Sequence, residues 1–187
     1  MGKPSKTMDK DISYIILKYG KNIISSKEFK AAFLQTHHFN TTVGDHLLGV
    51  TAEAVRICLR HSLTDSETLE NVVTASLCHD LGIIGRYGKY KNNFQCLIRH
   101  PVDSIEAYKS VTGKENERVL NSIKCHMFPL KLKMPDYKEG WILLLADKTA
   151  SIKEKFGFPA ISESERDEIL ASADRLNTGA SQTTEPV

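Results

Sequence analysis

From Asp11 to Ala173 the apolar positions recur every three or four residues and almost never alternate, which is the pattern of amphipathic helices rather than strands. Asp11 to Lys18 and Ser26 to Leu34 read as two short helices, with Ser26 in the N-cap position. Thr42 to His61 reads as a long helix that carries Leu47, Val50, Ala54, Ile57 and Cys58 on one stripe. Asp65 to His79 follows, capped by Asp65 or Ser66 and stopped before Gly82. Gly85 to Arg99 is rich in glycine, tyrosine, asparagine and basic residues and is expected to be an irregular loop. Pro101 is expected to open a helix through Val111, because proline is tolerated in a first turn. Glu115 to His126, Glu139 to Phe156 and Ser162 to Ala173 complete the series, with Pro129 and Pro135 breaking the chain between the first two.

No alternating run is long enough for a sheet. The expectation is therefore an all-α fold, a single-domain bundle of about seven or eight helices over residues 11–175. Polar, turn-rich ends, 1–10 and 176–187, are expected to be flexible and disordered. A chain of 187 residues is long enough to bury a core unaided.

Composition narrows the partners. The formal charge of +2 is too small to favour a nucleic-acid polymer or an acidic membrane surface. Lys89 with Lys91 and Lys131 with Lys133 read as solvated faces. The apolar run Ile142 to Ala146 is far too short to span a bilayer. Cys58, Cys78, Cys96 and Cys125 are widely spaced and form no CxxC pair, as in reduced proteins of the cytoplasm. The N-terminus lacks the apolar segment of a secretory signal, so the expected location is cytoplasmic. A small substrate is the expected partner, and the oligomeric state, homodimer included, stays open.

The chemistry lies in polar residues that interrupt apolar stretches. His46 shares a helical stripe with Val50 and Ala54, and Asp147 follows Ile142-Leu143-Leu144-Leu145-Ala146. The pair His79-Asp80 ends the run that contains Val72, Val73, Leu77 and Cys78. His38, His100 and His126 stand beside breaks in the helical pattern. A buried imidazole or carboxylate needs a partner. Singly, a core hydrogen bond would satisfy His46, and a salt bridge, to Lys148 for instance, would satisfy Asp147. Together the seven are matched by a cluster of metal ions, since imidazole suits Zn, Fe, Mn or Ni and a carboxylate can bridge two such ions.

The order His46, His79-Asp80, Asp147 resembles the H…HD…D signature of the HD superfamily of metal-dependent phosphohydrolases. The strings ASLCHDLG and LLLADKTAS are similar to that family's segments. HFNTTVGDH, RHP, HMFPL and PDYKEGWILLLADK are similar to a bacterial branch with additional histidine ligands. The resemblance covers roughly residues 35–156 and implies an all-α fold with two or three divalent transition-metal ions such as Fe, Mn, Ni or Zn. It implies His46, His79, Asp80 and Asp147 as core ligands, Asp80 bridging, and His38, His100 and His126 as the added ones. Asp80 and His79 are the implied catalytic pair.

The chain departs from the family pattern at Ile83, where many members carry a phosphate-binding lysine, and it lacks the GYP loop of cyclic-di-GMP phosphodiesterases. Arg86, Arg99 and Lys148 are the remaining candidates for holding a substrate phosphate. Tyr87, Tyr90 and Phe94 could stack on a substrate ring, or simply pack. The expected reaction is hydrolysis of a phosphoester, in a nucleotide or another small phosphorylated metabolite, by a metal-bridging hydroxide. The alternative is a non-catalytic metal- or nucleotide-binding HD-type sensor module.

Overall fold

The computed structural model describes residues 6–37 and 41–180. Nine α-helices and one short 3-10 turn make up the described chain, with no strand beyond an isolated antiparallel bridge between Thr36 and Thr42. The helices are α1 Lys6–Ile24, α2 Lys27–Ala32, α3 Val43–Arg60, α4 Ser66–Cys78, α5 Arg86–Lys89, α6 Asn93–Thr112, α7 Glu117–Cys125, α8 Lys138–Lys155 and α9 Glu163–Ala180, with the 3-10 turn at Leu81–Ile83. The expected all-α fold is therefore observed.

Local chemistry sets the helix starts. Ser26 accepts from the Phe29 amide, Asp65 from Thr68, and Asn116 from Arg118 and Val119. Thr42 and Asp45 form a reciprocal capping box at α3, which fixes the entry of the helix that carries His46. α3 is buried along most of its length and packs against α4 and α8. Leu47, Val50, Ala54 and Cys58, all on the expected stripe, are fully buried, and they join Val72, Leu77, Ile123, Leu143 and Ile169 in one core.

The turn after α4 is fixed by a close backbone approach. A Cβ at Gly82 would fall 2.4 Å from the Ser104 amide and 2.6 Å from the His100 carbonyl, so only glycine lets this turn rest on α6. The Gly82 amide donates to Ser104 Oγ at 2.9 Å, and the Tyr90 hydroxyl donates to the Gly82 carbonyl at 2.9 Å. The residues that follow the His79-Asp80 pair are thus tied to the helix that carries His100.

Three extents differ from the sequence pattern. The segment 85–99 is not an irregular loop: Gly85, at φ 78°, leads into the short helix α5, and α6 starts at Asn93. Asn92 caps α6 by accepting from the Gln95 amide at 2.8 Å. Pro101 accordingly lies inside α6 and does not open it. The proline removes one N–H, but buried Cys96, His100, Ser104 and Tyr108 hold the helix against the core on both sides of it. α1 and α9 also run past the expected limits, from Lys6 and to Ala180. Among the described residues no helix is long and apolar enough to cross a membrane.

Candidate metal centre

Six of the seven expected positions converge. His46 comes from the second turn of α3, His79 and Asp80 from the exit of α4, His100 from mid-α6, His126 from the exit of α7, and Asp147 from mid-α8. His46, His79 and His126 are at most 1% exposed, His100 4%, Asp80 5% and Asp147 6%, so the cluster sits beneath the surface. The seventh, His38, lies outside the described residues. Its neighbour His37 is present: its amide donates to the Thr41 carbonyl, and its Nε2 lies 3.1 Å from Asp80 Oδ2. The His37 ring stacks on that of His46, with centroids 4.2 Å apart.

Asp80 stands at the centre, and its two oxygens face different partners. Oδ1 lies 3.3 Å from His100 Nε2 and 3.4 Å from His126 Nε2. Oδ2 lies 3.1 Å from His37, 3.8 Å from His79 and 4.0 Å from His46, in each case at Nε2. Asp147 Oδ1 lies 3.3 Å from His46 Nε2 and 4.0 Å from His79 Nε2. Lys148 Nζ donates to the other oxygen of Asp147 at 2.7 Å.

The opposite ring nitrogens fix the tautomers. His79 Nδ1 donates to the Ser76 carbonyl at 2.8 Å, His100 Nδ1 to Cys96 at 2.9 Å, and His126 Nδ1 to Ile123 at 2.7 Å. His46 Nδ1 instead donates to a carboxylate, Glu154, at 3.0 and 3.2 Å. Because a carbonyl or carboxylate only accepts, each neutral ring must present an unprotonated Nε2 to the centre. His46 Nε2, His79 Nε2 and Asp80 Oδ1 have no hydrogen-bond partner. His100 and His126 bring their Nε2 atoms within 3.0 Å of each other. Two lone pairs at that distance repel unless a proton or a cation lies between them.

The two central carboxylates are held ionised. Burial works against ionisation of Asp80, but the facing His79, His100 and His126 hold its pKa well below the usual carboxylate range. Asp147 is held down in the same way against burial, by His46, His79 and Lys148. Burial pushes the His79 pKa down to about 4, which keeps that ring neutral. Three trios have ligand atoms that all lie within 4.8 Å of one another: His37-His46-Asp80, His46-His79-Asp147 and Asp80-His100-His126. Nitrogen and oxygen donors in this arrangement fit divalent ions of the Zn, Mn and Fe kind. The unpaired buried Nε2 and Oδ1 atoms lack partners that such ions would supply.

A cavity of about 470 Å³ opens onto the cluster. His37, Asp80, His100, His126 and Asp147 reach its surface, with His46 and His79 behind them. Arg86 and Lys148 line it, whereas Arg99 is exposed elsewhere on α6. Arg99 precedes the inward-facing His100, and successive helical residues point about 100° apart. Ile83 lines the cavity and is 5% exposed. Of the three aromatic residues, Tyr87 lines it. Tyr90 is buried against Gly82 and Asp103, and Phe94 is exposed outside it.

A family model described as HD domain matches residues 43–179. The chain belongs to the HD domain family. No curated protein and no solved structure matches it. The matched span contains the His79-Asp80 pair and the flanking His46 and Asp147. His37 lies just before it.

Sequence reasoning missed two residues of this centre. His37 stands beside His38, and nothing in the pattern chooses between adjacent histidines. Glu154 lies in the charged string IKEK, which reads as a solvated face, although it stands two helical turns beyond Asp147 on the same side of α8.

Proposed function

We propose that this HD domain is a metal-dependent phosphohydrolase that cleaves the phosphoester of a small phosphorylated metabolite. The observation that carries this reading is the convergence of imidazole Nε2 atoms on the two oxygens of one ionised carboxylate, Asp80, at the floor of an open cavity. His46, His79 and Asp147 would hold one ion, and Asp80, His100 and His126 a second. Asp80 would bridge them, and His37 could complete a third position with His46 and Asp80. Bound ions of this kind polarise a phosphoryl oxygen and lower the pKa of water from 15.7 to roughly 7.

The chain's own residues do the rest. Asp80 reaches the cavity surface, where it can orient an attacking water. His79 is fully buried and acts from behind as a ligand. Lys148, anchored on Asp147, places an ammonium at the edge of the cluster, where it would meet a phosphoryl oxygen. Arg86 donates to Asn93 at 2.8 Å, which leaves most of its guanidinium N–H groups for a substrate. These two cations take the role that Ile83 cannot. The proposed compartment is a reducing cytoplasm.

The test is elemental analysis of the purified protein, followed by a screen of phosphomonoesters and nucleotides with manganese or iron supplied. Phosphate release that disappears in Asp80→Ala, with helicity retained, supports the reading. Full metal loading with no turnover on any phosphoester would favour a binding module without chemistry.

A further inference from the structure

The side chains beside the cluster in the cavity are unusual for a site built only to hold ions and phosphate. Leu97 stands one helical turn before His100, Met127 directly follows His126, and Leu130 lies three residues further on. All three line the cavity: Met127 is buried, Leu97 half-buried and Leu130 exposed. Leu130 is 68% exposed, and Tyr87, across which the Arg86 guanidinium lies at 5.3 Å, is 79% exposed. Ile83 adds a further apolar surface. Packing the interior accounts for Ile83 and Met127 but not for Leu130 and Tyr87, which stay exposed beside them.

The polar groups of the lining lie on the other side: Arg86 and Asn93 are joined at 2.8 Å, and Ser151 and Lys148 donate to Asp147. Against Leu97, Met127 and Leu130 a leaving group rich in hydroxyls would lose water without finding partners. An apolar or aromatic one would cover Leu97, Met127, Leu130 and Tyr87, and the cavity volume is within the range of small-molecule sites.

We infer that the substrates of this site carry an apolar or aromatic substituent on the phosphoryl group rather than a polyhydroxylated one. The inference rests on the proposed phosphoryl site but concerns the group attached to it. Selectivity comes from removing apolar surface from water on both partners and from the cost of stranding hydroxyls against Ile83, Leu97 and Met127.

The test uses binding, so that it does not depend on turnover. Manganese-loaded protein is titrated calorimetrically with methylphosphonate, phenylphosphonate and 2,3-dihydroxypropylphosphonate, which share a headgroup and resist phosphoester hydrolysis. Phenylphosphonate should bind about tenfold or more tightly than methylphosphonate, and the dihydroxypropyl compound no more tightly than methylphosphonate. Leu130→Ser combined with Tyr87→Ser changes two exposed positions and should erase most of the phenyl advantage. Equal affinities within about threefold, tighter binding of the dihydroxypropyl compound, or no binding by any of them overturns the inference. Phosphate release from phenyl phosphate is scored separately. The binding preference without turnover supports this inference and counts against the hydrolase reading.

Discussion

Glu154 Oε1 lies 3.0 Å from His46 Nδ1, so His46 is held from behind by a carboxylate, whereas His79, His100 and His126 are held by backbone carbonyls. A carboxylate strengthens the donor character of the opposite nitrogen and fixes the plane of the ring. Glu154→Gln keeps a hydrogen-bond acceptor and removes the charge. Metal affinity is expected to fall roughly 10- to 100-fold, measured by competition with a chromophoric chelator, with the circular dichroism of the helices unchanged. Affinity equal to that of the parent protein would show that Glu154 is only packing.

Metal uptake should release protons. In the metal-free protein burial alone would lower the His46 pKa, but the Asp147 and Glu154 carboxylates more than offset it and hold it at about 10. Near neutral pH the ring therefore carries a proton that a cation must displace. Apparent affinity for manganese or zinc is expected to rise between about pH 6 and about pH 8. Calorimetry in two buffers of different ionisation enthalpy measures the release directly. An affinity that falls over that range contradicts it.

Two glycines separate packing from flexibility. Gly82→Ala forces a methyl group onto the backbone of Ser104 and His100 and should destabilise the fold by roughly 1–3 kcal/mol or more. It should weaken metal binding as well, because the His79-Asp80 exit must shift. Gly88→Ala, in α5 with open space around it, should leave stability unchanged or raise it by about 0.5–1 kcal/mol. Urea unfolding of the two variants tests the contrast, and similar midpoints would refute the close-approach account.

The buried thiols should be inert in the folded protein. Burial pushes the Cys58 thiol up to about 11 and raises Cys78 further, and both are fully buried. Iodoacetamide near pH 8 should leave both unmodified until denaturant is added, as read by intact-mass spectrometry. Rapid labelling of either in native buffer would show that α3 and α4 open locally.

Much of this architecture is legible in the sequence because burial forces a pattern. The stripe through Leu47, Val50 and Ala54 identifies α3, and polar residues set within apolar runs mark His46, His79-Asp80 and Asp147. What stays hidden depends on direction. Arg99 looks like a phosphate ligand beside His100, but helical rotation turns it outward. The start of α6 is obscured because Asn92 lies in a polar, glycine-rich neighbourhood and Pro101 imitates a first turn. His37 reaches Asp80 beside the bridge between Thr36 and Thr42, a contact that no periodicity reports.

His100 and His126 bring nitrogens from α6 and α7 within 3.0 Å of each other beside Asp80 Oδ1. A cation held by these three residues would join the two helices, so cation supply should govern how firmly they are joined. Chelator treatment should then lower the thermal midpoint and expose the α6–α7 seam to proteases. A cell short of transition metals would hold a softer, shorter-lived form of the protein, and its abundance would follow metal availability as well as synthesis.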